Sequence, residues 1–169
     1  MIREEDPVRG GDSADFVILE FGDFECPYCR DLSTRLSRVV AEFAPRIQLV
    51  WKDFPNPIHL QARQAALAAR CAQEQGKFWE YHDYLFANQD NLSRDSYNKI
   101  ALELNLNLAD FNRCLDGNDR IEVVGQGLID GQKLGVDATP YLFIGNRAVD
   151  YAIKEKELRA IIKEELGVN

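Results

Sequence analysis

The segment Cys26-Pro27-Tyr28-Cys29 constrains this chain more than any other feature, because of what precedes and follows it. Residues 16–21 are apolar except for Glu20, a pattern typical of a central strand that is covered on both faces. Helical periodicity then predicts a helix over residues 26–43, with proline suitably placed in its first turn. Two cysteines at the start of a helix that follows a strand can close a small disulfide, which exchanges with other thiols.

The helix also assigns a different role to each cysteine. Its N-terminus carries partial positive charge, which favours a thiolate at Cys26. Counting back three residues from Leu32 places Cys29 on the apolar face of the helix, so Cys26 is expected to be the more exposed of the two. We therefore expect Cys26 to be the attacking sulfur and Cys29 to be the resolving sulfur.

Half of a zinc site is the alternative interpretation of a Cys-x-x-Cys segment. No second pair with metal-ligand spacing follows, and His59 and His82 are the two histidines of the chain. His82 falls within an apolar helical pattern and is interpreted as a hydrogen-bonded core residue. A net charge of −8, without a basic stripe, argues against binding of nucleic acid. Neither a metal nor another cofactor is expected.

The remaining patterns divide the chain into four parts. Residues 1–15 are interpreted as an extended or mobile arm, and residues 16–57 as strand, helix and strand, a parallel crossover that is right-handed by default. Residues 58–133 are almost wholly helical in pattern, beginning with an alanine-rich helix from about His59 to Gln75. Residues 134–169 predict a hairpin at a Gly-Asn turn and a last helix.

This order of elements resembles the DsbA-like family of thiol–disulfide oxidoreductases, in particular its thioredoxin-like 4 branch. Two strings carry the resemblance, FGDFECPYC at residues 21–29 and LGVDATPYLFIG at residues 134–145, together with GKFWEYHD at residues 76–83. The resemblance implies an α/β protein, a thioredoxin fold with a helical insertion between the second and third core strands.

The resemblance also implies a set of site residues. Cys26 and Cys29 match the redox pair, and Pro140 matches a cis-proline that faces it, with Thr139 presenting its backbone to a substrate strand. An ordinary proline that opens an edge strand is the alternative at that position. Glu20 and Lys52 match a buried acid and a lysine beneath the disulfide.

Glu20 is of special interest because a charge inside an apolar strand is costly and its pKa is expected to be raised. Glu20 lies six residues before Cys26, so it is a candidate to accept the proton of Cys29. A solvated or salt-bridged acid near a strand end is the alternative. For Lys52, a plain lysine at a strand end is equally compatible with the sequence.

The function implied is that of a monomeric enzyme that oxidises the thiols of reduced or partly folded substrate proteins. A membrane redox partner would reoxidise it. The polar N-terminus has no apolar core of a signal peptide. The chain is therefore expected to be either a mature periplasmic or other extracytoplasmic form, or a cytoplasmic protein. The alternatives in function are a cytosolic disulfide reductase of the same fold and a non-enzymatic domain that binds metal or docks a partner.

One departure from the strongest oxidants of the family lies between the two cysteines. The dipeptide is Pro-Tyr rather than Pro-His, so no imidazolium can stabilise the Cys26 thiolate from within the motif. Asp23 and Glu25 lie close in sequence and are expected to oppose the thiolate. The sequence therefore predicts a reduction potential below that of the most oxidising relatives.

The remaining cysteines, Cys71 and Cys114, both fall in the helical segment, on faces that are expected to point into its core. Parity and placement favour a second, structural disulfide between them, and some members of the branch carry one in that position. Two buried free thiols are the alternative. Such a bond would argue for an extracytoplasmic location, since cytosolic thiols are kept reduced.

Overall fold

The computed structural model describes residues 2–11 and 14–168, and within them it places five strands in one mixed sheet. The strands lie side by side in the order β1, β3, β2, β4, β5. Their bounds are β1 Val8–Gly10, β2 Phe16–Gly22, β3 Ile47–Asp53, β4 Tyr141–Ile144 and β5 Arg147–Val149. Since β2 is central, the segment that follows it emerges from the middle of the sheet, where the redox pair lies.

The predicted crossover is formed by β2, the helix α1 (Pro27–Phe43) and β3. β2 and β3 run parallel, in a register that starts with Phe16 opposite Ile47. One face of α1 is buried against the sheet, which explains the apolar periodicity of its sequence. This face of α1 packs against buried side chains of the sheet. The residues in contact are Leu32, Leu36, Val39 and Val40 of α1, and Ile18, Leu49 and Ile144 of the sheet.

The helical segment lies between β3 and β4, as predicted for an insertion between the second and third core strands. Its helices are α2 Ala62–Gln73, α3 Phe78–Ala87, α4 Arg94–Glu103, α5 Leu108–Gly117 and α6 Ile121–Lys133, with a 3-10 turn at Gln89–Asn91. The first helix begins later than predicted. His59 N–H donates to the carbonyl of Asn56 in a turn, so this histidine belongs to the loop between β3 and α2.

A disulfide joins Cys71 of α2 to Cys114 of α5. The predicted pairing is confirmed, and the alternative of two free thiols is wrong. The bond lies inside a cluster of buried apolar residues that α2, α3, α4 and α5 share with Phe24 and Trp51 from the first half of the chain. The helical segment thus shares one core with the residues around the redox pair.

The chain then returns to the sheet through β4 and β5, which form the predicted hairpin with Ile144 opposite Arg147. The last helix, α7 (Glu155–Glu165), buries Leu158, Ile161 and Ile162 beside α1. One face of the sheet is therefore covered by α1 and α7, whereas α6 packs against the other face. Among the described residues, no helix combines the length and apolarity needed to cross a bilayer.

Part of the N-terminal segment, predicted to be an extended or mobile arm, is extended and joins the sheet. Residues 8–10 add β1 to the edge of the sheet, antiparallel to β3, with Val8 opposite Val50. The alternation of polar and apolar residues is too short here to predict a strand, and the pairing depends on the exposed edge of β3. Met1, Asp12 and Ser13 of the predicted arm, and Asn169 of the last segment, lie outside the described residues.

Candidate active site

The redox pair lies at the N-terminus of α1, as expected from the sequence. Cys26 is the residue that precedes the first turn, and Cys29 lies within that turn. Both are free thiols in the structure. Cys26 is the more exposed of the two, as predicted, but with only 4% of its surface accessible it is itself buried, and Cys29 is inaccessible. A sulfur atom that reacts with Cys26 must therefore come close to the surface of the Cys26–Cys29 motif.

The surroundings of Cys26 favour its thiolate. A hydrogen bond from the Cys29 thiol is the largest effect and, with backbone and Thr139 hydrogen bonds, it outweighs burial and lowers the pKa of Cys26 to about 6. Burial, and then the neighbouring Cys26 and Glu20, raise the pKa of Cys29 well above its ordinary value. Hydrogen bonds to a charged form stabilise that form, so Cys26 is the cysteine whose thiolate the surroundings favour and Cys29 the one that they keep protonated.

The loop before β4 faces Cys26. The Thr139–Pro140 peptide bond is cis, and Pro140 is buried. The Cys26 thiol lies 3.4 Å from the carbonyl oxygen of Thr139, to which it donates a hydrogen bond. Thr139 and Pro140, which are distant from the cysteines in sequence, are thus brought to the redox pair by the pairing of β4 with β2.

Glu20 lies on the face of the sheet that α1 covers, below the redox pair. Its side chain is buried and its Oε1 atom has no hydrogen-bond partner. Burial raises the pKa of Glu20 to about 8, and Arg9 partly offsets this effect. The solvated alternative is wrong, and no ion pair reaches Glu20 among the described residues. Because its charge also raises the pKa of Cys29, Glu20 is suitably placed to exchange a proton with that thiol.

Lys52 is not brought to the redox pair. In the parallel register, Glu20 lies opposite Trp51, whereas Lys52 lies opposite Phe21 and projects from the other face of the sheet. There its Nζ forms buried ion pairs with Asp6 at 2.6 Å and Asp130 at 3.0 Å. The expectation of a lysine beneath the disulfide is wrong because neighbouring residues of a strand point to opposite faces.

The two acids before Cys26 shape the loop instead of opposing the thiolate. Asp23 is buried, and its carboxylate accepts hydrogen bonds from the backbone of Glu25 at 2.7 Å and of Asn56 at 2.8 Å. Glu25 accepts a hydrogen bond from the backbone of Gln61, the residue before α2, at 2.6 Å. Asp23 and Glu25 were expected to oppose the thiolate, but hydrogen bonds dominate and the pKa of Cys26 is lowered to about 6.

His59 is a site residue that the sequence did not reveal. Its Nδ1 atom lies 2.7 Å from a carboxylate oxygen of Asp23. Burial lowers the pKa of His59, but the hydrogen bond to Asp23 and the nearby charges, including that of Cys26, outweigh burial and raise it. The β3–α2 loop therefore holds an imidazole against the buried Asp23, close enough for the Cys26 charge to raise its pKa. Only the folding of that loop onto Asp23 brings it there.

Gln89 is a second residue beside the redox pair that the sequence did not reveal. It is buried in the 3-10 turn after α3, and its amide nitrogen donates to the carbonyl oxygens of Phe24 and Cys26, both at 2.9 Å. These two carbonyls belong to the loop that carries the redox pair. A buried amide that satisfies two loop carbonyls fixes the loop against the helical segment.

His82 agrees with its interpretation as a core histidine. It is buried among aromatic rings, including Trp51 at 4.9 Å between ring centroids, and its Nδ1 lies 2.8 Å from Asp83. Burial is the main effect on it and lowers its pKa. His82 is neutral in the core and takes no part in the redox pair.

We expect His59→Gln to raise the pKa of Cys26 by about half to one unit, because an imidazolium beside a thiolate is lost and Asp23 is left uncompensated. Thiolate absorbance near 240 nm, followed against pH, measures this pKa. Arg63→Gln is the matched control, since it removes a cation from the same groove and should leave the pKa unchanged. An unaltered pKa in His59→Gln would remove His59 from the site.

Comparison with known proteins identifies the family of the chain. Residues 3–164 match the family model Thioredoxin_4, which is described as thioredoxin. Among curated proteins, the chain is 35% identical over 147 residues to Na(+)/H(+) antiporter NhaA 1 of Salinispora arenicola, covering 85% of this chain and 22% of that protein. It is 30% identical over 160 residues to Na(+)/H(+) antiporter NhaA of Herminiimonas arsenicoxydans, covering 95% and 25%. The chain thus spans about a quarter of the length of the curated relatives it matches.

Solved structures show the same fold over nearly the whole chain. BdbD from Bacillus subtilis matches with a TM-score of 0.88 at 21% identity, covering 97% of this chain and 94% of that one. DsbA2 from Pseudomonas aeruginosa matches with a TM-score of 0.75 at 26% identity, covering 93% and 92%. The predicted α/β thioredoxin fold is confirmed.

Proposed function

This chain belongs to the thioredoxin family, among its DsbA-like oxidoreductases, and we propose that it oxidises the thiols of substrate proteins by donating a Cys26–Cys29 disulfide. The observation that supports this direction is the lowered pKa of Cys26, about 6. A stabilised thiolate stabilises the reduced protein, which makes its disulfide a better oxidant. This value lies between about 7 for thioredoxin and about 3.5 for the strongest oxidants of the superfamily.

The reaction begins when a substrate thiolate attacks the Cys26 sulfur of the disulfide. A bond forms between the substrate sulfur and Cys26, and Cys29 leaves as a thiolate, which takes a proton from the Glu20 carboxyl group. A second substrate thiolate then attacks the substrate sulfur of the mixed disulfide. The substrate gains a disulfide and Cys26 leaves as a thiolate, so the protein has accepted two electrons.

Exposed apolar side chains near the redox pair favour partly folded proteins as substrates. Tyr28 lies within the motif and is 62% exposed, and Ile58 and Leu60, on either side of His59, are 78% and 85% exposed. Large apolar side chains at this exposure next to a reactive group indicate a binding surface. Unfolded segments present the matching apolar side chains, and the proposed role of the Thr139 backbone is to bind them without sequence preference.

The setting of the reaction follows from the second disulfide. A buried bond between Cys71 and Cys114 favours an extracytoplasmic location, such as the periplasm, where disulfides persist. We propose that the chain acts there as a monomer and that a membrane redox partner reoxidises it. A cytosolic reductase of the same fold is the alternative. Equilibration with glutathione buffers separates the two, since an oxidase requires a potential above about −230 mV.

We expect Cys29→Ser to accumulate mixed disulfides with substrate proteins that carry a disulfide: the Cys26 thiolate attacks that bond, one substrate sulfur leaves as a thiolate, and the sulfur that would resolve the adduct is absent. Lifetimes should increase by at least about a hundredfold relative to the wild type, as intramolecular attack has a high effective concentration. Non-reducing gels and mass spectrometry of the adducts measure the effect and locate the bond.

Cys26→Ser is the matched control and should form no adduct, because Cys29 is inaccessible. Adducts that map to Cys71 or Cys114, or adducts that form equally well with Cys26→Ser, would contradict the proposed function.

A further inference from the structure

We propose that Arg9 of the edge strand β1, and not Lys52, is the cation that serves the buried acid Glu20. The inference deepens the proposed function and rests on it, because it concerns the group that exchanges a proton with Cys29. It assigns a positioning role to the N-terminal segment, which was predicted from the sequence to be an extended or mobile arm.

The sheet register places Arg9 on the same face as Glu20. Arg9 lies opposite Leu49 of β3, and Leu49 in turn lies opposite Ile18 of β2. Side chains in such a row share a face, and Glu20 is two residues after Ile18, so it shares that face as well. Lys52, in contrast, projects from the opposite face, where two carboxylates neutralise it.

The Arg9 side chain is firmly held beneath α1. Its guanidinium donates to Ser37 Oγ of α1 at 2.7 Å, to the carbonyl of Trp79 in α3 at 3.3 Å and to Asp83 of α3 at 2.7 Å. It also lies over the Trp79 ring, 4.5 Å from the centroid. Four contacts in the cleft between α1 and α3 keep a positive charge at a fixed place beside the redox helix.

Two sets of charges lie on the face of the sheet that Glu20 shares: Arg9 with its partner Asp83, and the buried residues Asp53 and Arg70, which neutralise each other at 2.6 Å. From α1, Cys29 is the titratable group that responds to Glu20, whose charge raises the pKa of this thiol. The neighbours in β3 and β4, Trp51 and Leu142, carry no charge. From α3, Asp83 is paired with Arg9, and His82 beside it is neutral. Arg9 is the charge that lowers the pKa of Glu20, against the larger effect of burial.

Arg9 acts through Glu20 on the step in which Cys29 resolves the mixed disulfide at Cys26. The Glu20 carboxylate accepts the proton of the Cys29 thiol, and the Cys29 thiolate attacks the Cys26 sulfur of a mixed disulfide. The Cys26–Cys29 bond forms, and the partner sulfur leaves as a thiolate with the two electrons. Arg9 favours the carboxylate form of Glu20 and so keeps the base available near neutral pH.

The test is the pH profile of resolution of the Cys26–glutathione mixed disulfide, followed by stopped flow from pH 5 to 10. The wild type should show an inflection near pH 8, the pKa of Glu20. Arg9→Met should move that inflection to higher pH and slow the step about threefold to tenfold at pH 7. Arg9→Lys, which keeps the charge, should stay closer to the wild type.

Two further variants separate electrostatics from structure. In a Glu20→Gln background the inflection should disappear, and Arg9→Met should then change nothing more. Lys52→Met should lower stability but leave the inflection in place. Equal slowing by Arg9→Met in both backgrounds, or an inflection that moves with Lys52→Met instead, would overturn the proposal.

If Arg9→Met does not fold, Asp83→Asn tests the same idea. With its counter-ion gone, the Arg9 charge acts more strongly on Glu20, and the inflection should move to lower pH; a shift to higher pH would overturn the proposal.

Failure of the proposed function would give a different result from failure of this inference. In that case the wild type would form no mixed disulfide at Cys26, whereas failure of this inference leaves exchange intact and its profile independent of Arg9.

Discussion

Above pH 6, the free energy of unfolding of the reduced protein is expected to rise progressively relative to that of the oxidised protein. Hydrogen bonds lower the pKa of Cys26 in the folded, reduced protein to about 6, from an ordinary value of 9.0. In the oxidised protein Cys26 is bonded and does not titrate. From the linkage relation, the pH-dependent difference in unfolding free energy is about 1.4 kcal/mol at pH 7 and about 4 kcal/mol at pH 9.

The direction follows from proton binding. Between pH 6 and 9 the unfolded, reduced chain binds a proton at Cys26 that the folded protein has released, so stability rises with pH. Below pH 6 both states are protonated and the contribution vanishes. Above pH 9 the raised pKa of Cys29 works against the folded state, so the gain ends there.

Urea unfolding of both redox forms between pH 5 and 9 measures the difference. Cys26→Ala, which has no thiol to ionise, is the control and should follow the pH dependence of the oxidised protein. Parallel stability curves for the reduced and oxidised wild type would show that the thiolate is not stabilised by the fold. They would remove the main argument for an oxidase.

Local patterns in the sequence were sufficient to predict most of the elements and the redox pair, whereas the thioredoxin fold was implied by the resemblance to a known family. The crossover around Cys26, the helical segment and the hairpin before the last helix each depend on periodicity within ten to twenty residues. The N-cap of α4 is equally local, since the Ser93 side chain accepts a hydrogen bond from the backbone of Ser96. These features depend on neighbours in sequence, so a single sequence carries them.

The residues that the sequence did not reveal depend on contacts between distant segments. His59 reaches the site because a loop folds onto Asp23, 36 residues earlier, and Gln89 reaches the carbonyl of Cys26 across 63 residues. Lys52 was misplaced for a different reason. Which face of a strand covers the redox helix is fixed by pairing register, and a shift of one residue exchanges the faces.

Removal of the second disulfide, in the variant Cys71→Ala/Cys114→Ala, is expected to lower the free energy of unfolding by about 4 kcal/mol. The two cysteines are 43 residues apart in sequence, and the chain-entropy model gives a cost of this size for opening such a loop. Both side chains are buried in the core that the helical segment shares with Phe24 and Trp51. The loss of stability therefore affects the packing beside the redox pair.

Equilibrium unfolding in urea, with Cys26 and Cys29 reduced in both proteins, isolates this contribution. Leu102→Ala serves as a control for side-chain truncation in the same helical segment, since Leu102 is 58% exposed, and it should cost less than about 1 kcal/mol. At low temperature, where the variant is still folded, the pKa of Cys26 should match that of the wild type, because none of the groups that lower it is changed. A loss in stability as small as that of the control would mean that the helices hold together without the bond. In that case the bond would no longer tie this fold to an oxidising compartment.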